Sequence, residues 1–137
     1  MKFLIPIDGS ASANHAVEWL INSIGWLKEM PQIFLINVQW KLSSGNVMMF
    51  ISQDTIEGHY QEQSMAALAE ARKNGLTYHY HISIGTPAEA IVQYAEEQKI
   101  DQIIMRAHGQ GALSTFLLGS VVSKVLHLAS MPVLLVK

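Results

Sequence analysis

The sequence predicts a single α/β domain, a doubly wound five-stranded parallel sheet with helices on both faces. Short apolar runs typical of strands buried on both faces alternate along the chain with segments of helical periodicity. The chain has 137 residues, half of them hydrophobic, which suits one compact domain over 1–137 and leaves no room for a second. No repeat, linker or low-complexity tract interrupts the alternation, which therefore indicates a βαβαβαβαβ order.

The first three elements form a βαβ unit. A continuous apolar run over 3–7 predicts a strand, which ends in a turn at Asp8. Apolar residues at helical spacing predict a helix from about residue 12 to about residue 28, with Ser10 or Ser12 available as N-cap. Pro31 ends this segment, and the β-branched and aromatic run over 33–38 predicts the second strand. The crossover between two such parallel strands is right-handed.

The middle of the chain carries the second helix and the third strand. Residues 39–53 show neither periodicity and predict a loop, and the segment 54–74, rich in Ala and Glu, predicts a helix that Gly75 closes. Alternating ring side chains over 78–84 predict the third strand. Thr86-Pro87-Ala88-Glu89 has the pattern of a capping box with proline at the first helical position, and it predicts a third helix to about residue 98.

The end of the chain supplies two strands, a loop and a helix. Apolar runs predict strands over 100–105 and 133–136, and helical spacing over 121–129 predicts the helix between them. The segment 106–115 is predicted to be a loop because of its glycines. Ligands of such folds bind at the carboxyl ends of the strands, near the point where strand order reverses. We therefore expect functional residues after the first, second and fourth strands.

Composition excludes several classes of function. The chain has no cysteine, which excludes disulfide frameworks, Cys-ligated metal sites and thiol nucleophiles. Its formal charge is -2 and its two arginines are Arg72 and Arg106, so a broad nucleic-acid surface is not expected. The first residues lack the pattern of a signal peptide, and no apolar stretch is long enough to span a membrane. We therefore expect a cytoplasmic protein without a membrane partner.

A glycine loop after the fourth strand is the clearest candidate binding motif. Gly109 is separated by nine residues from Gly119-Ser120, which stand just before a helix. Glycine lets a backbone approach a ligand closely, and a helix amino end presents N–H groups to an anion. The other distinctive segments are Pro6-Ile7-Asp8-Gly9-Ser10, Asn37-Val38 and the terminal Pro132-Val133-Leu134-Leu135-Val136. Together, and over essentially the whole chain, these motifs resemble the universal stress protein family.

The resemblance implies a fold and a ligand. Members of the family have a parallel sheet in the order 3-2-1-4-5, and many bind ATP through the motif G-x2-G-x9-G-[S/T]. By resemblance, Asp8 and Val38 flank the adenine. Gly109 and its neighbours lie along the ribose and phosphates, and the amides of Ser120 and Val121 hold the phosphates. The cofactor-binding residues implied are Pro6, Ile7, Asp8, Val38, Met105, Arg106, Ala107, His108, Gly109, Gln110, Gly111, Ala112, Gly119, Ser120, Val121 and Val122.

The resemblance also implies a homodimer. In the implied strand order the last strand, Val133 to Val136, is an edge strand, and an apolar edge favours pairing with another chain. Members of the family commonly pair this strand antiparallel with its twofold mate. We therefore expect a homodimer with an isologous interface.

Arg106 stands where the family motif has its first glycine. A backbone with positive φ at this position would strain arginine, whereas a guanidinium at the mouth of a phosphate site suits phosphate oxygens. Two hypotheses therefore stay open. In the first, the protein is a universal stress protein that binds ATP or a related adenine nucleotide, with Mg²⁺ as an accompanying ion and with little or slow hydrolysis. In the second, it is a stress or interaction protein of the same fold that binds no nucleotide, because Arg106 alters the cleft.

The remaining candidate residues predict neither a catalytic nor a metal site. His79 and His81 share one face of a strand, and two imidazoles can begin a metal site. No third ligand is evident, and a half-exposed strand face explains both residues. His108 lies in the glycine loop, where we interpret it as shaping the loop or binding the ligand. No Ser-His-Asp arrangement and no pair of nucleophile and base follow from the spacing, so an efficient enzyme is not predicted.

Overall fold

Five strands form one parallel sheet. The structure, a computed structural model, describes residues 1–7, 11–39, 77–107 and 118–137. The strands are β1 (Lys2–Pro6), β2 (Gln32–Gln39), β3 (Tyr78–Ile84), β4 (Gln102–Arg106) and β5 (Val133–Val136). They pair in the order β3-β2-β1-β4-β5, and every pairing is parallel. The predicted fold class and the strand order implied by the family resemblance are confirmed.

Helices connect the strands within the described ranges. They are α1 (Ala11–Ser23), which continues as a 3-10 turn over Ile24–Trp26, α2 (Pro87–Glu97) and α3 (Ser120–Leu128). The α-helical part of α1 ends at Ser23, earlier than predicted, because Gly25 lowers helix propensity just beyond that end. The predicted helix over 54–74 and the predicted loop over 40–53 lie outside the described residues. The longest of the described helices is α1, with 13 residues, and none of them is both long and apolar enough to cross a bilayer.

The core has two layers, one on each face of the sheet. Successive side chains of a strand point to opposite faces, so each central strand contributes to both layers. On one side, the α1 face, the buried layer is formed by Phe3, Ile5, Ile7, Ala16, Val17, Leu20, Ile33, Leu35, Ile104 and Val136. On the other side, the α2/α3 face, it is formed by Leu4, Phe34, Ile36, Ala88, Ile91, Val92, Ala95, Ile100, Ile103, Met105, Val122 and Val125.

The start of α2 differs in one detail from the predicted capping box. Thr86 is the N-cap and Pro87 begins the helix, as predicted, but the Thr86 side chain makes no capping hydrogen bond to the backbone. The Glu89 carboxylate instead accepts a hydrogen bond of 2.9 Å from Lys124 Nζ of α3. The Lys124 ammonium holds the pKa of the Glu89 carboxyl below its usual range, and a hydrogen bond with the Thr86 side chain acts in the same direction. Glu89, the last residue of the box, therefore joins α2 to α3.

Candidate functional site

The carboxyl ends of β1, β2 and β4 meet at one edge of the sheet, which we call the carboxyl edge. The Ile7 N–H donates to the Ile36 carbonyl at 2.8 Å, which ties the end of β1 to β2. Leu4 pairs with Ile103, and continuing this register places Arg106 level with Ile7. Strand order reverses between β1 and β4, because β2 lies on one side of β1 and β4 on the other. Ligands of open α/β sheets bind in the crevice at such a point.

The described part of the predicted binding set lies at the strand ends and at the amino end of α3. It comprises Pro6, Ile7, Val38, Met105, Arg106, Ala107, Gly119, Ser120, Val121 and Val122. The other members of the set, which lie outside the described residues, are Asp8, His108, Gly109, Gln110, Gly111 and Ala112. The described members come from four separate segments of the chain, and the fold brings these segments to one edge.

The amino end of α3 is held against the carboxyl end of β4. The Gly119 N–H donates to the Ala107 carbonyl at 3.4 Å, and the Ala107 N–H donates to the Val136 carbonyl at 2.9 Å. Gly119 is the N-cap of α3, and its carbonyl accepts the Ser123 N–H at 2.9 Å. This is the first hydrogen bond of the helix, and the N–H groups of residues 120–122 come before it in the chain. No carbonyl of α3 therefore accepts a hydrogen bond from them. This end of the helix therefore presents N–H donors and the positive end of the helix dipole at the carboxyl edge, which are the features that suit an anion.

Arg106 has the backbone of an ordinary strand residue. It pairs with Val136 of β5, and Lys99 is the one non-glycine residue with a positive φ in the described ranges. The strain that a left-handed backbone would impose on arginine is therefore absent at Arg106. This result removes the steric objection to arginine at the position where the family motif has glycine.

The side chain of Arg106 lies on the α1 face of β4. It shares this side of the strand with Ile104 and lies beside Val136, and both neighbours belong to the layer against α1. Arg106 is half-buried, and its Nε atom is buried without a hydrogen-bond partner in the described part of the chain. A buried donor without an acceptor costs roughly 1–3 kcal/mol, and more when the group is charged. Among the described residues, therefore, no acceptor offsets this cost at the Arg106 Nε atom.

Asn37 places a polar group inside the core next to the carboxyl edge. Its side chain is 0% exposed and shares the α1 face with Ile33 and Leu35, whereas the next residue, Val38, is half-buried on the α2/α3 face. In the sequence, Asn37 is part of a motif of the family resemblance but not of the predicted binding set. The signal that marks it is a single amide within an otherwise apolar run.

The two histidines of β3 pack on aromatic rings. His79 stacks on Phe34 with ring centroids 4.7 Å apart, and His81 stacks on Tyr94 of α2 at 4.4 Å. Burial raises the pKa of the Tyr94 hydroxyl. Over the residues that the structure describes, no group of three His, Asp or Glu side chains is arranged to hold a metal ion. Packing on a partly exposed strand face accounts for both histidines.

Comparison with known proteins supports the same family over the whole chain. The model of the universal stress protein family matches residues 1–137. Universal stress protein MJ0531 of Methanocaldococcus jannaschii is 32% identical to the chain over 141 aligned positions, which cover 99% of this chain and 81% of that protein.

Solved structures of similar proteins have the same fold. The structure of MJ0577, a universal stress protein of Methanocaldococcus jannaschii, has a TM-score of 0.79 at 28% identity and covers 99% of this chain and 94% of that one. The universal stress protein from Archaeoglobus fulgidus in complex with dAMP has a TM-score of 0.69 at 18% identity and covers 100% and 98% of the two chains. At the lower identity the likeness concerns the fold alone.

Proposed function

Because the chain belongs to the universal stress protein family, we propose that it binds an adenine nucleotide, ATP or a close relative, at the carboxyl edge of its sheet. The observation that carries the proposal is the amino end of α3, which the bond between Gly119 and Ala107 holds against the end of β4. A phosphate group at this end accepts hydrogen bonds from the N–H groups of Ser120 and Val121 and lies at the positive end of the helix dipole.

The other end of the nucleotide lies near β1 and β2. Val38 is half-buried and offers apolar surface on which an adenine ring can pack, whereas Ile7 is buried in the core and Asp8 follows it directly in the sequence. The residues 108–112 complete the contacts to the ribose and phosphates in this proposal, with Mg²⁺ as an accompanying ion. A universal stress protein of the same fold has been solved in complex with dAMP, which supports this class of ligand.

We propose that the protein is a nucleotide-binding module rather than an efficient enzyme. No side chain is assigned as nucleophile or base, so hydrolysis is expected to be slow or absent. A role in the stress response and a cytoplasmic location follow the family and form part of the same proposal.

Removing one amide donor tests the phosphate site. Proline at Ser120 is expected to weaken ATP binding about tenfold, because a hydrogen bond to a charged group contributes roughly 1.5–3 kcal/mol. Proline suits the first position of a helix, and Gly119 already has the extended backbone that precedes proline (φ -60, ψ 153). Ser120→Ala, which keeps the N–H, is the matched control and should bind ATP within about threefold of the native chain. Titration calorimetry measures all three proteins.

Two results would contradict the proposal. Equal affinities of Ser120→Pro and Ser120→Ala would mean that the amide does not contact the phosphate. The second result is that the purified native protein carries no adenine nucleotide and that titration with up to about 1 mM nucleotide detects no binding. The second hypothesis, an interaction protein with an altered cleft, would then replace the first.

The proposed assembly is a homodimer formed by the outer edge of β5. This strand lies at the end of the sheet beyond β4, and its sequence Val133-Leu134-Leu135-Val136 is wholly apolar. The Pro132 and Val136 carbonyls accept hydrogen bonds from β4. The backbone N–H and C=O groups of successive residues in a strand point to opposite sides. Those of Val133 and Leu135 therefore point outward, where a twofold mate can pair with them.

Proline at position 135 tests this assembly. Leu135→Pro removes an outward N–H while it leaves the bonds to β4 in place, so the variant is expected to be a monomer. Leu135→Ala, which keeps the N–H, is expected to keep twice the monomer mass in sedimentation equilibrium. Circular dichroism checks that both variants are folded. A monomeric native protein, or a Leu135→Pro variant that stays dimeric, would refute pairing through β5.

A further inference from the structure

Two positively charged features belong to the α1 side of the carboxyl edge. Arg106 carries a permanent positive charge, and the amino end of α1 carries the positive end of a helix dipole. α1 begins at Ala11, shortly after β1 ends, and its buried residues pack in the same layer as Ile104, the neighbour of Arg106 on this side of β4. Each of these features favours an anionic over a neutral ligand group on this side of the sheet.

We infer that Arg106 forms a second anion-binding position at this edge, on the α1 face. The charge of Arg106 makes a phosphate group of the ligand a requirement for tight binding. The inference rests on the proposed nucleotide site and names the ligand group that this chain selects. The amino end of α3 supplies neutral N–H donors, and Arg106 adds a full charge and a planar set of donors.

An anionic oxygen satisfies this position better than a neutral one. A ribose hydroxyl or an adenine ring nitrogen gives the buried Nε atom an acceptor but leaves the charge of the guanidinium uncompensated. A phosphate oxygen supplies both the acceptor and the opposite charge, and two phosphate oxygens match the guanidinium fork. The strand backbone of Arg106 holds the base of the side chain in place before the ligand arrives, because Arg106 pairs with Val136.

A cycle that deletes either the arginine or the phosphate tests the inference. Adenosine, AMP, ADP and ATP are titrated into the native chain, Arg106→Gly and Arg106→Lys by calorimetry in a buffer with EDTA. Arg106→Gly, which restores the residue of the family motif, is expected to weaken at least one phosphorylated ligand about tenfold and to leave adenosine within about twofold. Arg106→Lys keeps the charge but loses the planar guanidinium fork, so its affinities should lie between those of the native chain and those of Arg106→Gly. The shortest ligand that shows the loss identifies the phosphate that Arg106 contacts.

The salt dependence gives a second measurement. Added NaCl should weaken the binding of that phosphorylated ligand more in the native chain than in Arg106→Gly, because salt screens the charge contact that the variant lacks. An equal loss for adenosine and for its phosphates would mean that Arg106 only supports the fold of the site, and it would overturn the inference. Unchanged affinities in Arg106→Gly would overturn it as well, while nucleotide binding itself would stand. If the native chain binds none of the four ligands, the proposed function and the inference both fail.

Discussion

Replacing Leu4 with alanine is expected to lower the free energy of unfolding by about 2–5 kcal/mol. Leu4 is 0% exposed and lies in β1, the middle strand of the five. It belongs to the buried layer on the α2/α3 face, together with Phe34 and Ile103 from the neighbouring strands. The substitution loses apolar burial and leaves a cavity between the sheet and its helices. Urea unfolding followed by circular dichroism measures the change.

Leu126 of α3 offers a matched control for this substitution. Its side chain is 41% exposed, and alanine suits a helix, so Leu126→Ala is expected to change stability by no more than about 0.5 kcal/mol. Similar losses in the two variants would contradict the placement of β1 at the centre of the sheet.

The strands were predictable because a parallel sheet is covered on both faces. Such strands have continuous apolar runs, and these runs stand out from the helical periodicity between them. β3 and β5 were predicted with their observed bounds, since Gly85 and Pro132 mark where regular structure stops or starts. The bounds of β2 were one residue short at each end, because Gln32 and Gln39 pair through their backbones whatever their side chains are.

Side-chain partners were less predictable than elements. The segment 86–89 has the local pattern of a capping box, and the start of α2 was predicted from it. Yet the Glu89 carboxylate accepts a hydrogen bond from Lys124, which lies 35 residues further along the chain. A local pattern contains no information about a charge that the fold brings from so far away, and a charge-assisted bond is stronger than a neutral one.

The same limit applies to the binding edge. From the sequence, the backbone conformation of Arg106 was the open question, because the family motif has a glycine there. Pairing with Val136 gives Arg106 a strand conformation, and that pairing depends on β5, which lies about 30 residues further along the chain. The motif residues at the strand ends were predictable as a set, whereas the face of the sheet on which the Arg106 side chain lies required the register of β4.

Aspartate in place of Asn37 is expected to destabilise the protein by roughly 4 kcal/mol at about pH 7. The two side chains have nearly the same shape, but at 0% exposure a carboxyl group is ionised only with loss of its hydration. Burial of this kind raises a carboxyl pKa by about 3 units or more, and each unit corresponds to about 1.4 kcal/mol. The expected loss therefore comes from charge rather than from packing.

The pH dependence of this variant separates charge from packing. With its pKa raised in the folded state, the new carboxyl group binds more protons in the folded than in the unfolded chain, so stability falls as pH rises from about 3.9 to the folded-state pKa. Below about pH 3.9 both states are protonated and the charge penalty disappears. Asn22→Asp, at an exposed position in the last turn of α1, is the matched control and should lower stability by no more than about 1 kcal/mol, the size of an unfavourable contact with the negative end of the helix dipole. Urea unfolding of both variants across this pH range measures the free energy of unfolding. If the loss at position 37 stays constant with pH, the cost lies in the lost amide donor and not in a buried charge beside the carboxyl edge.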